Sequence, residues 1–520
     1  MNKPVPLLLP YAETHYKFQL PWSPLHKRWP EVFVDGPSFC VPGVNPVFYL
    51  AVKDADLFPI RVRGIEFLIQ GEGISKKTQI DLVGDLDRMI SDNLIFIPLD
   101  IDFSGLVGKF TLNGRITIEN AKGTVRTFLN DNFPGISPAP LLLHMLAHPL
   151  PYPSGWYGGE LHCHSDYSND PVEYGAPLSV LQTAGKALGL GYVVCTDHSY
   201  DFYYDRKRYM DRIDPDANFA AYRNEALALN DRNVPNGGTV MIPGEEVSCG
   251  NHLGENVHLL VAGHGEFLPG LGDGGRRWLS NKPDLRVEEV IERLRGTPCF
   301  AAHPRSRVGT LERFIFRRGM WHPQDVSASG AETGVGINGL QFWNGNRGRD
   351  FFEGRAFWIS LLLTGKRISP IGANDAHGDL NRNIGVKTPL FSLYQNRNHV
   401  FGHVRTVINA QERSIAGMQS GLASGNLFCT DGPALRLEYA SGGAQLHGKS
   451  IPDYGAFSRV TVFAGKSGDA RESTVKEWTW KDNGPMELSE SVGLPPGAGY
   501  LRAEAHTAEK RFALTAPVFR

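Results

Sequence analysis

GELHCHSDYSND, at residues 159–170, contains two histidines, His162 and His164, that a single residue separates. We expect its first half to be a short strand, in which alternate residues face the same side. His162 and His164 would then point together, whereas Leu161 and Cys163 would pack into the interior. Two imidazoles at one strand end form half of a metal site. Such a pair alone is about as often a satisfied polar or surface pair as a pair of metal ligands. A metal site is therefore predicted only if further ligands follow in the chain.

Beyond this stretch, helical patterns alternate with short apolar runs that are typical of buried strands. Helical periodicity over 178–189 precedes a strand at 192–196, and similar units continue to about residue 425. Strands that alternate with helices predict a parallel sheet. About seven such strands are predicted, and polar residues recur at their carboxyl ends, which is the catalytic face of a β/α barrel.

The predicted strand ends carry residues that can bind a metal or assist catalysis. Single members have ordinary explanations: His258 could be a core histidine, Asp375 could cap a helix, and His303 could belong to a turn. Five such groups at consecutive strand ends together favour a metal site, and imidazole and carboxylate ligands without thiolates suit Zn²⁺, Mn²⁺ or Fe²⁺. The set is His162, His164, Asn169 or Asp170, Asp197, His198, Glu246, His258, His303, Asp375 and His377. Seven other histidines lie in linkers or loops without ligand spacing, although His252 and His264 are near the site; the other five are His144, His148, His322, His399 and His403.

This ordered set resembles the PHP (polymerase and histidinol phosphatase) family of metallohydrolases over about residues 156–431. The motifs that carry the resemblance are HCHSDYSND, CTDHS, PGEEVS, VHLLVAG, AAHPRS and GANDAHG. Shorter segments, TDGP at 430–433 and FALTAPV at 512–518, resemble its carbaryl-hydrolase-like branch. The resemblance implies an α/β fold: a distorted (β/α)7 barrel between N-terminal and C-terminal β-sandwich-like domains.

The resemblance also implies two or three divalent metal ions with named ligands. The first ion would be held by His162, His164, Glu246 and Asp375. The second would share the bridging carboxylate and be held by Glu246, His258 and His303. The third would be held by His198, His377 and the Asn169/Asp170 position. Because the family usually has Asp or His where Asn169 stands, either Asp170 replaces it through a one-residue shift or the third site is weak.

Two adjacent metal ions lower the pKa of a bridging water and stabilise charge on the attacked and leaving oxygens. We therefore expect an enzyme, a metal-dependent hydrolase that uses a metal-bridged hydroxide. Phosphoester cleavage is the commonest activity that the resemblance implies. Asp197 would fix the tautomer of the His198 imidazole. Arg305 and Arg382 are placed to bind an anionic substrate oxygen, although a surface salt bridge is an equal alternative for either.

Two other functions are alternatives. The carbaryl-hydrolase-like branch suggests hydrolysis of a carbamate, ester or amide at the same metal centre, which an apolar wall of Tyr200, Phe202, Tyr203 and Trp343 would favour. An inactive binding protein is the third interpretation, and the presence of nearly all ligands speaks against it.

Composition limits the partners and the compartment. The 53 basic and 55 acidic side chains give a net charge of −2, so nothing favours nucleic acid or a membrane surface over a small-molecule substrate. The six cysteines form no CxxC motif, which fits a reducing, cytoplasmic location. Patterning predicts three domains: an N-terminal β domain at 1–150, the metal-binding unit at 151–432 and a small β domain at 433–520.

Overall fold

The computed structural model describes residues 29–132, 139–168, 174–208, 211–274, 281–306, 313, 316–326, 336–378, 380–382, 385–387, 392–394, 399–440 and 442–520. The protein is mostly β, with 40% strand and 17% helix. Asn169 and Asp170, the alternatives for one predicted metal ligand, lie outside the described residues. No described helix has the length and apolar character needed to cross a membrane.

Residues 31–145 form two sheets around one apolar core. The strands are β1 (Glu31–Asp35), β2 (Phe39–Cys40), β3 (Phe48–Lys53), β4 (Ile60–Gly71), β5 (Ile74–Gln79), β6 (Met89–Ile90), β7 (Leu94–Leu99), β8 (Gly108–Asn120), β9 (Val125–Leu129) and β10 (Leu141–Met145). One sheet has the order β1-β3-β7 and the other β2-β10-β8-β4-β5, with β6 on β4 and β9 on β8. Alternate apolar residues of β4 and β8, such as Phe67 and Leu112, fill the core between them.

The middle of the chain contains the helices, which lie between strands. The strands are β11 (Trp156–His164), β12 (Tyr192–Cys195), β13 (Val240–Pro243), β14 (Glu245–Gly250), β15 (Asn256–Val261), β16 (Cys299–Ala302), β17 (Gly339–Asn344), β18 (Ser369–Ala373), β19 (Ala376–His377), β20 (Gly385–Lys387), β21 (Ser392–Tyr394), β22 (Arg405–Asn409) and β23 (Leu427–Thr430). The helices are α1 (Leu178–Ala187), α2 (Pro215–Asn233), α3 (Val287–Arg293), α4 (Arg349–Leu362) and α5 (Ile415–Ser424). Short 3-10 helices cover Gly84–Leu86, Asp201–Tyr203, Val234–Asn236 and Pro452–Tyr454.

Local sequence explains several helix ends. The Asp214 carboxylate accepts a hydrogen bond from the Asp216 amide at 3.2 Å, and Pro215 occupies the first turn of α2, where its missing N–H costs nothing. The Ser414 hydroxyl caps α5 in the same way, and Gly425 ends that helix with a left-handed backbone (φ 70°).

The last part of the chain returns to strands. They are β24 (Ala434–Ala440), β25 (Gly443–Lys449), β26 (Phe457–Gly465), β27 (Ser473–Thr479), β28 (Glu487–Gly493), β29 (Tyr500–Thr507), β30 (Phe512–Thr515) and β31 (Val518–Phe519). Strands β24, β25 and β28 form a separate small sheet. Strand β30 pairs with β23, so one sheet runs from the middle of the chain into its C-terminal part in the order β13-β12-β11-β22-β23-β30-β29-β26-β27.

The predicted (β/α)7 barrel is wrong. None of the sheets among the described residues closes on itself, and the five helices of this part of the chain are too few for seven βα units. The loop 251–255 explains part of the error, because it joins β14 to β15 as an antiparallel hairpin. A parallel crossover needs a dozen or more residues, and five residues allow only a reversal of direction. The antiparallel pairs β15–β16, β11–β22 and β22–β23 depart from the barrel in the same way.

The two central sheets meet where their strands carry the predicted ligands. The second of these sheets has the order β14-β15-β16-β17-β18. The Asp375 amide after β18 donates to the His162 carbonyl of β11 at 2.7 Å. At the other edge, the Glu246 amide of β14 donates to the Asp197 carbonyl after β12 at 3.0 Å. These backbone bonds hold the ends of β11, β12, β14 and β18 together.

Candidate metal centre

Four predicted ligands meet at the junction of the two sheets. The Nε2 atoms of His162 and His164 lie 3.1 and 3.4 Å from Oε2 of Glu246. The same two atoms lie 3.2 and 3.3 Å from Oδ1 of Asp375. All four ligand atoms fall within 4.8 Å of one another. The alternation along β11 therefore brings the two imidazoles to one side, as the sequence predicts.

The other oxygen of Glu246 faces a second pair of histidines. Its Oε1 lies 2.6 Å from Nδ1 of His258 and 3.2 Å from Nε2 of His303. His258 is buried on β15 and is not an isolated core histidine, since its ring contacts that carboxylate. Glu246 is 1% exposed, so its two oxygens are shared between the two groups of imidazoles.

A third group consists of imidazoles alone. His164, His198 and His377 place ring nitrogens within 4.8 Å of one another. The Nε2 atoms of His198 and His377 are 3.5 Å apart, and the His377 ring stacks on that of His164 at 3.9 Å. Nδ1 of His198 lies 3.0 Å from the Glu246 carboxylate, yet it is buried and makes no hydrogen bond within the described residues.

These donor sets fit divalent metal ions. Six imidazoles and two carboxylates converge in a buried space, where a polar atom left without a partner is costly. A cation between facing imidazole nitrogens satisfies their lone pairs, and nitrogen with carboxylate oxygen is the ligand chemistry of Zn²⁺, Mn²⁺ and Fe²⁺. A metal would explain two observations: Nδ1 of His198 has no hydrogen bond within the described residues, and Nε2 of His198 faces Nε2 of His377.

Charge within the cluster is strongly coupled. Burial opposes ionisation of Glu246, but the neighbouring imidazoles of His258 and His162 hold its pKa well below its usual range. Burial likewise disfavours charge on His162, and the carboxylates of Asp375 and Glu246 raise its pKa to about 9. Burial and the rings of His377 and His198 hold the pKa of His164 well below its ordinary value. The carboxylates are therefore ionised at neutral pH, as ligands must be.

Two of the site residues have an unusual backbone. Asp375 has φ 55° and His303 has φ 26°, and neither is glycine. Conformations of this kind cost about 1–3 kcal/mol and concentrate at functional sites. The amide hydrogen bond from Asp375 to β11 helps to hold the first of them in place.

A hydrogen-bonded chain that the sequence analysis missed connects two of the ligands. Nδ1 of His162 lies 2.9 Å from Oε1 of Gln341, whose amide donates to Asn344 at 3.1 Å. The Asn344 amide in turn donates to Oδ2 of Asp375 at 3.1 Å. Gln341 is fully buried in β17, and a polar residue inside the apolar run GLQFW was the available signal.

Asp273 was also missed, and it supports a different ligand. Its Oδ2 lies 2.7 Å from Nε2 of His258 and 3.0 Å from Nε of Arg318, and its Oδ1 accepts from the Ser248 hydroxyl. Burial opposes its ionisation, but the charges of His258 and Arg318 keep its pKa below the usual range. Asp273 lies in a loop with no motif, so the sequence offered no signal.

Asp197 does not orient the His198 ring, contrary to the prediction. Its carboxylate accepts hydrogen bonds from the Ser165 amide at 2.8 Å, the Ser165 hydroxyl at 2.7 Å and the Ser168 amide at 3.0 Å. Asp197 therefore fixes the turn that follows β11 and carries His164 at its start.

The two predicted arginines lie in different places. Arg305 lines a cavity of about 280 Å³ together with His303, Asn344, Arg349 and His399. His399, to which the sequence assigned no role, thus lies at the same cavity. The guanidinium of Arg305 lies 4.0 Å over the Phe357 ring. None of the described carboxylates pairs with it.

Arg382 forms salt bridges, which the sequence left as the alternative to binding substrate, and these salt bridges are buried. Its Nη1 lies 2.9 Å from the Glu31 carboxylate and 3.3 Å from that of Asp131. The guanidinium also lies 3.8 Å over the Phe33 ring. Because Arg382 is 9% exposed and its partners belong to the N-terminal β region, it attaches that region to the loop after His377.

Two of the four aromatic residues considered as a substrate wall are interior, and the two tyrosines are half-buried. Trp343 and Phe202 are fully buried, and Trp343 packs against Phe351 and Phe512. Tyr200 differs, because its ring stacks on His198 at 4.6 Å with an interplanar angle of 17°. Tyr203 packs edge-on against Phe267.

Comparison with known proteins adds no family. No protein-family model matches the chain. A search of curated proteins likewise found no match.

Proposed function

We propose that the chain is a metal-dependent hydrolase of phosphoesters that binds two or three divalent ions, Zn²⁺, Mn²⁺ or Fe²⁺. The observation that carries the proposal is the buried Glu246 carboxylate, whose two oxygens face five imidazoles with Asp375 beside them. The motifs that resemble those of PHP metallohydrolases support the same metal-dependent hydrolysis, although no sheet of the described residues closes into a barrel. The six cysteines are all free and buried, which suits the cytoplasmic location that we include in the proposal.

The residues of the centre have separable roles in this proposal. Glu246 would bridge the first and second metal positions, with His162, His164 and Asp375 on one side and His258 and His303 on the other. His198 and His377 would provide the third position. The bound ions would activate a water for attack and stabilise charge on the substrate oxygens.

The cavity beside His303 favours a phosphoester over a carbamate or neutral ester. Its polar lining includes Arg305 and Arg349, and the N-terminal residues of α4 lie at the same surface. A guanidinium and the positive end of a helix both attract an anionic oxygen. Trp343 and Phe202 are interior, so they cannot form the apolar wall that a neutral aromatic substrate would favour.

The test is hydrolysis by the full chain after loading with each metal in turn. The substrates are p-nitrophenyl phosphate, bis(p-nitrophenyl) phosphate, p-nitrophenyl acetate and 1-naphthyl N-methylcarbamate. We expect turnover of a phosphate substrate, with KM raised about tenfold or more in Arg305→Gln because a charge-assisted hydrogen bond is lost. The matched control is Arg313→Gln, since Arg313 pairs with Glu255 on the surface and does not line the cavity. Turnover of the carbamate or acetate alone would contradict the phosphoesterase proposal.

A further inference from the structure

We propose that a second cavity, formed where the three parts of the chain meet, binds a small oxyanion. The cavity has a volume of about 250 Å³ and shares no lining residue with the one beside His303. Phe39 comes from the N-terminal region, His403 and Arg405 from the middle of the chain, and Tyr454 and Arg511 from the C-terminal region. The proposal is independent of the proposed hydrolase function.

Arg405 supplies a buried positive charge on one side of the cavity. It is 3% exposed, and its guanidinium lies 4.5 Å over the Phe39 ring. Its Nε donates to the Gly402 carbonyl at 2.9 Å and its Nη1 to the Tyr152 hydroxyl at 3.3 Å. Both partners are neutral, and no carboxylate of the described chain forms an ion pair with it. A buried guanidinium without a carboxylate is costly, so an anion that reached it would be stabilised.

Arg511 supplies a second positive charge from the loop before β30. Its Nη1 donates only weakly to the Asp431 carbonyl, at 3.4 Å, and its guanidinium lies 5.7 Å from the Tyr454 ring. Here too the described residues provide no ion-pair partner. Burial and the charges of Arg511 and Arg405 lower the pKa of His403 to about 3. The imidazole is therefore neutral at pH 7 and can offer a hydrogen bond in addition to the two charges.

The carboxylates near the cavity are already engaged. Asp431 lines it, and its carboxylate accepts a hydrogen bond from the Phe512 amide at 2.6 Å. Burial raises the pKa of Asp431, and the charge of the nearby Arg511 opposes that rise, so this carboxylate offsets at most one of the two guanidinium charges. Asp453 pairs with His144 at 3.3 Å and with His148 at 2.9 Å. The cavity thus keeps an excess of positive charge from its two arginines.

The ligand class follows from this chemistry. Two guanidinium groups with neutral donors recognise phosphate, sulfate or a carboxylate, and the volume restricts the ligand to a small one. The cavity reaches the surface beside Pro140 and Leu142, which is 48% exposed, so a small anion can enter. A bound anion would join three parts of the chain and would therefore stabilise the folded state.

The test is thermal unfolding of the full, chelator-treated chain in inorganic phosphate, sulfate or succinate, against sodium chloride of equal ionic strength. We expect at least one of the three anions to raise the melting temperature, and the rise should level off as the anion concentration increases. In Arg511→Gln, half-saturation should need about tenfold more anion, because one charge-assisted contact is lost. The matched control is Arg313→Gln, which removes a surface arginine that pairs with Glu255 and lines neither cavity, and it should leave half-saturation unchanged. Arg305→Gln shows whether the other cavity causes the rise. No rise beyond that in sodium chloride, or a shift in Arg305→Gln but not in Arg511→Gln, would overturn the proposal.

A second measurement does not depend on whether a variant folds. Crystals of the unaltered chain soaked in sodium selenate should show an anomalous selenium peak between Arg405 and Arg511. Selenate bound only beside Arg305, or nowhere, would overturn the proposal. The preferred anion in the unfolding assay separates a phosphate site from a carboxylate site.

Discussion

Among single residues, Glu246 makes the contacts on which the proposed metal centre depends most. One buried carboxylate contacts five imidazoles, and within the described part of the chain no arginine or lysine pairs with it. Glu245 beside it behaves differently. Its Oε2 lies 2.8 Å from Nε2 of His264, away from the cluster, and burial raises its pKa well above the ordinary value. The pKa values of these neighbouring glutamates are thus shifted in opposite directions, because burial dominates at Glu245 and the imidazoles dominate at Glu246.

Gln341 provides the first prediction. Gln341→Met keeps the volume of the side chain but removes the hydrogen bond to His162, so the ring loses its orienting partner. Partners of this kind are typically worth 10–100-fold in metal affinity. We expect a loss of about that size, measured by competition with a chromogenic chelator. Gln445→Met is the matched control, since Gln445 bonds to Ser489 on an exposed strand face. Equal metal affinity in both variants would refute a positioning role for Gln341.

At the scale of elements, an ion cluster joins the C-terminal sheet to α4. Arg502 on β29 is fully buried and pairs with Glu472, its Nε lying 2.7 Å from Oε1, and with Glu504. Glu504 also pairs with Arg355 of α4 at 2.5 Å. Because the first residues of α4 line the cavity beside His303, this cluster supports one wall of the candidate site.

Arg502→Met therefore gives the second prediction. Removing one partner of a buried ion pair leaves an uncompensated carboxylate and costs about 3–5 kcal/mol of unfolding free energy. Urea unfolding at pH 7 measures this loss, and Arg459→Met on the neighbouring strand is the control. A loss below that of Arg459→Met would show that the cluster contributes nothing to stability.

The same cluster predicts a pH dependence. Burial opposes ionisation of Glu504, but the charges of Arg502 and Arg355 bring its pKa below the ordinary 4.5. A carboxyl whose folded-state pKa is lowered adds stability above its unfolded pKa and loses it as the pH falls through the folded pKa. We therefore expect the difference in unfolding free energy between wild type and Arg502→Met to have its full size near pH 7 and to decrease below about pH 4.5. Urea titrations from pH 7 to pH 3 test this, and a constant difference would contradict it.

The elements also show what the sequence could and could not predict. The alternation in β11 and the polar residues after β12, β16 and β18 were visible, because ligand spacing is a local property. The hairpin between β14 and β15 and the reversals at β22 and β23 were missed, since apolar runs do not reveal strand direction. Gln341 and Asp273 were missed as well, because partners brought together by folding have no fixed distance in the sequence.

At the scale of the whole molecule, the N-terminal β region is attached close to the third group of imidazoles. The Asp35 carboxylate accepts from the amides of Leu380 and Asn381 at 2.8 and 2.9 Å, just after His377. Arg382 binds Glu31 and Asp131 in the same place. The N-terminal region thus positions the segment that carries one predicted ligand.

Arg382→Met tests this attachment. We expect a loss of about 3–5 kcal/mol in unfolding free energy, because the buried carboxylates of Glu31 and Asp131 would lose the guanidinium that they contact. Arg88→Met is the control, because its ion pairs with Asp85 and Asp92 are exposed and worth at most about 1 kcal/mol. Differential scanning calorimetry compares the two. Equal small losses would mean that the N-terminal region is held by other contacts.

The proposed metal centre depends on the bridging carboxylate of Glu246. Elemental analysis of the purified full chain, after loading with Zn²⁺, Mn²⁺ or Fe²⁺ and removal of free metal, tests it most directly. We predict two or three ions per chain in the wild type, a loss of at least two ions in Glu246→Gln, and full retention in the neighbouring variant Glu245→Gln. A wild-type chain that retains no metal, or a Glu246→Gln variant that keeps the full complement, would contradict the account.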